Sequence, residues 1–187
     1  MLPISFLGVP SRTQTVHAWY EPIVYRKNTK GGGKPVPELQ GDTVKERTDH
    51  MLKKHGYDPS VRHKIAKEQH IKTEVLVAIA WADTHLGYAS KSKNNIGNVG
   101  NNDRWDTVEY PTIEAGIRAM WSSALNGKYL WHKNTVGELS CGWYYKLWKE
   151  CEYPVYATSA ENWNVNVINL LTAIYWEQVD ESFAFRQ

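Results

Sequence analysis

The stretch from Ile71 to Tyr110, IKTEVLVAIAWADTHLGYASKSKNNIGNVGNNDRWDTVEY, limits most strongly what this chain can fold into. It opens as an apolar helix and ends as a polar loop. Counting back from Asp83 in helical steps gives Ala80, Ile79, Leu76 and Val75, so the carboxylate continues a buried stripe. Thr84, His85 and Leu86 follow, and Gly87 fits a helix terminator in the left-handed region. Asp83 is thus expected in the last turn of a core helix that begins near Thr73. Burial and the helix C-terminus both disfavour its charged form and are expected to raise its pKa. A carboxyl group still protonated near neutral pH can donate a proton to a leaving oxygen.

Between Ser90 and Glu109 both helical and strand periodicity vanish. Asn94, Asn95, Asn98, Asn101 and Asn102, with Gly97 and Gly100, predict a series of turns. Ile96, Val99 and Trp105 are spaced as anchors for that loop. Asp103, Asp106 and Glu109 fall in or after it and are candidates for a second carboxylate of the kind that glycosidases pair with an acid.

Taken with Tyr110-Pro111-Thr112, which opens the next helix, Asp83, Thr84, Gly87 and the Asn94–Asn98 loop resemble the glucosaminidase branch of the lysozyme-like superfamily. There a helix ends in an acid, a hydroxyl residue and a Gly, an Asn-rich loop follows, and a Tyr precedes a Ser or Thr by one or two residues. Tyr156-Ala157-Thr158-Ser159 is similar to the stretch before that family's last helix, and the likeness runs roughly over residues 59–176. The resemblance implies a mainly α-helical, lysozyme-like domain with a small loop or β lobe. It implies cleavage of a β-1,4 bond between amino sugars of peptidoglycan, by a hydrolase or a lytic transglycosylase. Asp83 would be the general acid, Tyr110 would line the cleft, and Asp103 or Asp106 would activate water. Thr84, Asn95, Gly97 and Asn98 would meet the sugar. In one respect the chain departs from the family, which carries Glu where this chain has Asp83. The shorter acid sits over an ångström further from its target unless the backbone moves in, a displacement that can lower a rate about a hundredfold. A non-catalytic wall-binding or structural module is the alternative.

The rest of the chain frames this stretch. Residues 1–42 are expected to form an extended N-terminal arm with a Gly/Pro linker at residues 29–41, and residues 43–187 the domain. Asp42 or Thr43 caps a helix carrying Val44, Met51 and Leu52, and Asp58-Pro59 opens another with Val61, Ile65 and Ala66 on one face. Thr112 caps a helix running to Leu125, and a final helix begins at Ala160 and runs to about Val179. The dense aromatic segment from Tyr129 to Trp148 reads as wall and core, with one or two rings available to stack on sugars. Cys141 and Cys151 are either one short disulfide or two free thiols.

Charge and motif patterns exclude several classes. Residues 26–72 carry twelve basic and six acidic side chains, and residues 73–187 nine and thirteen. The basic region reads as a solvated surface, because no zinc-finger or RNA-binding signature accompanies it, and nucleic acid is not expected. His50, His55, His63 and His70 lack metal-ligand spacing and read as surface imidazoles, so no metal or organic cofactor is expected. Gly31-Gly32-Gly33 is not a phosphate loop, since no Gly-Lys-Ser/Thr follows. No apolar run is long enough to span a membrane, and MLPISFLGVPSRT does not read as a signal peptide. The expected setting is extracellular or cell-wall associated, with a phage-encoded protein as one option, and the chain a monomer or part of a larger assembly.

Overall fold

The computed structural model describes residues 35–88, 92, 94–100, 108–125, 133–141 and 160–186. Among them the fold is mainly α-helical, with six helices and no strand. These are α1 (Val44–Lys54), α2 (Pro59–Glu68), α3 (Thr73–Thr84), α4 (Ile113–Leu125), α5 (Val136–Cys141) and α6 (Ala160–Tyr175).

Helix starts follow local chemistry. Thr43 and Glu46 form a reciprocal capping box on α1, and Asp58 caps α2 with Pro59 in its first turn. Thr112 Oγ1 accepts from Ala115 N at 3.1 Å at the start of α4. The centre of the molecule is α3. Its residues are buried except Glu74 and Asp83, so it is apolar around its circumference and has neighbours on all sides. Its principal partner is α6, whose Val167, Leu170, Leu171 and Ile174 are inaccessible to solvent.

The two acidic residues of α3 set the direction of that pairing. Glu74, in its first turn, accepts from the Tyr175 hydroxyl at the end of α6. Asp83, in its last turn, accepts from the Trp163 indole near the start of α6 at 2.9 Å. The helices therefore run antiparallel, clipped at both ends by an aromatic donor on a carboxylate. Burial, and then Glu74, push the Tyr175 hydroxyl pKa upward.

The chain's end closes the core. Phe185 is completely buried; its backbone accepts from Lys72 N and donates to Asn134 O, both at 3.0 Å. Isolated bridges pair Ile71 with Arg186 and Thr135 with Ala184. The tail, whose fate sequence left open, thus joins the starts of α3 and α5.

Several expectations need correction. A β lobe was one alternative, yet the described part of the loop, residues 94–100, consists of turns, and the only β pairing among the described residues is the two isolated bridges. Val36 and Leu39 fall in the expected linker but pack partly buried against the core. His63 is no fortuitous surface imidazole: its Nε2 lies 2.6 Å from Asp49 Oδ1 and its Nδ1 2.9 Å from Thr73 Oγ1, tying α1, α2 and the start of α3 together. The last helix ends at Tyr175, with Trp176 in the left-handed region, rather than at Val179. Residues 1–34 of the N-terminal arm, the segment 142–159 and the Cys141–Cys151 pairing lie outside the described residues.

Gly116 on α4 lies against the backbone of the Asn loop. A Cβ there would lie 1.7 Å from Asn94 O, a backbone atom. At Gly97 it would meet the flexible Met120 side chain at 2.2 Å. Gly116→Ala is therefore expected to destabilise the fold by about 2–3 kcal/mol, and Gly97→Ala by less, because methionine can repack. Denaturant midpoints of the two variants check the order.

Candidate functional site

The site is the open end of α3 and what docks onto it. A fully buried helix must find partners for its last carbonyls. Here three consecutive residues turn left-handed, His85 at φ 52°, Leu86 at 57° and Gly87 at 91°. Leu86 N donates to Ala80 O at 3.1 Å, closing the turn, and the Leu86 side chain is buried beneath it. Glycine accepts this conformation freely, but His and Leu each raise the energy by roughly 1–2 kcal/mol. Gly87 is left-handed as expected, but α3 already ends at Thr84, with left-handed His85 as its cap. Tyr57 holds the strained turn by donating its hydroxyl to Leu86 O.

Thr84 joins this turn to the loop. Its buried hydroxyl donates to Ile96 O and accepts from Gly87 N at 2.8 Å. Asn95 is also buried. Its amide donates to Val99 O and Val108 O, both at 2.9 Å, while its Oδ1 accepts from Val99 N at 2.8 Å. Asn94 Nδ2 donates to Tyr110 O at 2.7 Å, and the Tyr110 ring lies beside Gly116. The acid-bearing turn, the Asn loop and the Tyr-Pro-Thr segment are thus brought into direct contact.

Their side chains do not all face outward. Asn95 and Thr84 were expected to meet a sugar, yet both are buried and hydrogen-bonded to the loop they organise. Gly97 is buried against Met120. Asn98 is exposed in a left-handed conformation, φ 51°, and Tyr110 is half-buried. Asp103 and Asp106 lie outside the described residues, and Glu109 is exposed.

Asp83 itself is partly exposed, with Oδ1 held by the Trp163 indole. Trp163, eighty residues downstream, reads in sequence only as core of the last helix; no local pattern marks it as the partner of Asp83. On the other side of the turn, His85 packs edge-on against Trp81 at 4.7 Å between ring centres, and His55 meets Trp81 at 5.7 Å. No cluster of His, Cys, Asp and Glu among the described residues is arranged to hold a metal ion. Among the described residues no helix is long and apolar enough to cross a membrane.

Thr84→Val keeps the shape but strands Ile96 O and Gly87 N, and should destabilise by about 1–3 kcal/mol. Asn98→Gly, at an exposed left-handed position that glycine also accepts, should stay within about 0.5 kcal/mol of the parent. Thermal melts of both variants, with amide spectra of residues 94–100, read the difference. Against protein-family models, curated proteins and solved structures, the chain shows no match.

Proposed function

We propose that this chain cleaves the glycan strands of peptidoglycan at a β-1,4 bond between amino sugars, with Asp83 as the general acid. The observation that carries the reading is convergence: three segments that resemble a glucosaminidase meet through Thr84–Ile96, Asn94–Tyr110 and Asn94–Gly116. Asp83 would protonate the glycosidic oxygen as positive charge develops at the anomeric carbon. Either water activated by Asp103 or Asp106, or the sugar's own acetamido group, would then complete the step. Trp163 would position the acid. Asn95 and Thr84 shape the loop, leaving Asn98 and Tyr110 as the substrate contacts of this reading. Its setting would be the cell wall or the extracellular space.

One observation favours a second reading, a wall-binding or structural module without catalysis. The Asp83–Trp163 pair has a counterpart in Glu74–Tyr175 at the other end of the same helix pair. In this second reading Asp83 is a clip between helices and nothing more.

Clearing of purified cell walls in a gel separates the two. Asp83→Asn leaves an amide oxygen to accept from the indole, so its melting temperature should stay close to the parent's. Activity should nevertheless fall about 10²–10⁴-fold, the usual contribution of a general acid. Trp163→Phe should lower kcat by roughly tenfold while leaving wall binding unchanged, since misplacing an acid affects the chemical step. Parent-like clearing by Asp83→Asn would dismiss the acid, and wall binding without clearing by the parent would establish the module.

A further inference from the structure

A second site is built around Arg62. This residue of α2 is completely buried, and its Nη1 reaches only Leu76 O at a long 3.4 Å. Nε and Nη2 are buried with no hydrogen-bond partner at all. Those two nitrogens form one edge of the guanidinium, with parallel N–H bonds at the spacing of the two oxygens of a carboxylate. A buried charge left in this state is unusual, because burial penalises it heavily unless it is paired. Burial has pushed the Arg62 pKa down to about 10.

Arg62 lines a cavity of about 420 Å³, a size that suits a small-molecule site. Val61, Ile113 and Ile117 supply apolar wall, and Tyr57, Asp58 and Asn94 the polar part. Asp58 is the acidic residue of the cavity lining, but its carboxylate is engaged elsewhere. Its two oxygens accept from Ser60 N at 2.9 Å and Ser60 Oγ at 2.7 Å, capping α2. The Tyr57 ring covers the guanidinium, with 5.3 Å from its centre to the Arg62 central carbon. A neutral ring compensates a buried cation only in part.

We propose that this cavity binds a small monocarboxylate with a short apolar body, its two oxygens paired with Nε and Nη2 of Arg62 after the Tyr57 ring turns aside. One negative charge rather than two fits a rim that carries the Asp58 carboxylate, and this disfavours phosphate. The apolar wall takes the body of the ligand. None of the lining residues belongs to the proposed catalytic set, although Tyr57 and Asn94 also touch the turn and the loop beside Asp83.

Butyrate is the probe, with butyramide and inorganic phosphate as controls. At about ten times its dissociation constant, butyrate should raise the melting temperature of the full chain by roughly 4 °C. In the same titration the Arg62 Nε–Hε resonance should shift. Butyramide and phosphate should produce neither effect. Arg62→Met removes the fork and the buried charge together, so it should lose the response while melting at or above the parent. If that variant does not fold, Val61→Phe narrows the cavity and keeps the arginine, and it too should lose the response. Equal shifts with butyrate and butyramide, a response to phosphate in place of butyrate, or a full response in a folded Arg62→Met or Val61→Phe chain would each overturn the proposal.

Discussion

A helix buried on every side makes the strongest demand in this fold. The apolar face of α3 needs no help, since neighbours surround it, but its polar ends do. At the start, Lys72 N donates to Phe185 O, and Thr73 meets His63. At the finish, the left-handed turn and the Thr84 hydroxyl deal with the carbonyls and carry the chain into the loop. Each end is therefore completed by a distant segment. A buried backbone group without a partner carries a penalty of about 1–3 kcal/mol, so these contacts belong to the fold and are not decoration.

The same demand explains where Asp83 sits. A carboxylate on a buried helix is tolerated only where it is partnered or reaches water. Glu74 and Asp83 lie at the two ends of α3, each with an aromatic donor from α6. The aromatic partners hold the antiparallel register without burying a full ion pair. At Asp83 the indole fixes one carboxyl oxygen, Oδ1. The strained turn beside it, with His85 and Leu86 both left-handed, fits a segment shaped by more than local preference.

What could be read from sequence was local. The α3 stripe, the Thr43 and Asp58 caps, Thr112 at the start of α4 and the turns of the Asn loop follow from side-chain spacing and capping chemistry. The contacts that sequence missed join residues far apart. Trp163 meets Asp83 across eighty positions, and Phe185 reaches Lys72 across more than a hundred. Val36 and Leu39 looked like linker because prolines flank them, yet two apolar side chains suffice to dock an extended segment. The Asn loop was legible as turns but not in its orientation. Asn95 looks in sequence like a donor waiting for a ligand; in the fold, three hydrogen bonds within the loop account for it. A polar residue in a turn serves the backbone first, because the nearest unsatisfied groups belong to that turn.

Arg62 shows the reverse case, a polar group that the fold has not served. On α2 it falls beside Ile65 and Ala66 on the buried face, and helical spacing alone would place a hydrophobic residue there. A buried arginine at such a position needs compensation, since an apolar side chain of similar volume is often neutral or stabilising there. The compensation visible within the chain is one long bond to Leu76 O and the face of Tyr57, whose own hydroxyl is engaged by Leu86 O. Tyr57 thus touches both the buried cation and the strained turn that follows Asp83. A swing of the ring about the Cα–Cβ bond would release Leu86 O as it uncovers the guanidinium, whereas a flip about the Cβ–Cγ axis would keep that bond, so the two regions are joined through one side chain. That connection runs through a single hydrogen bond and needs no longer-range pathway.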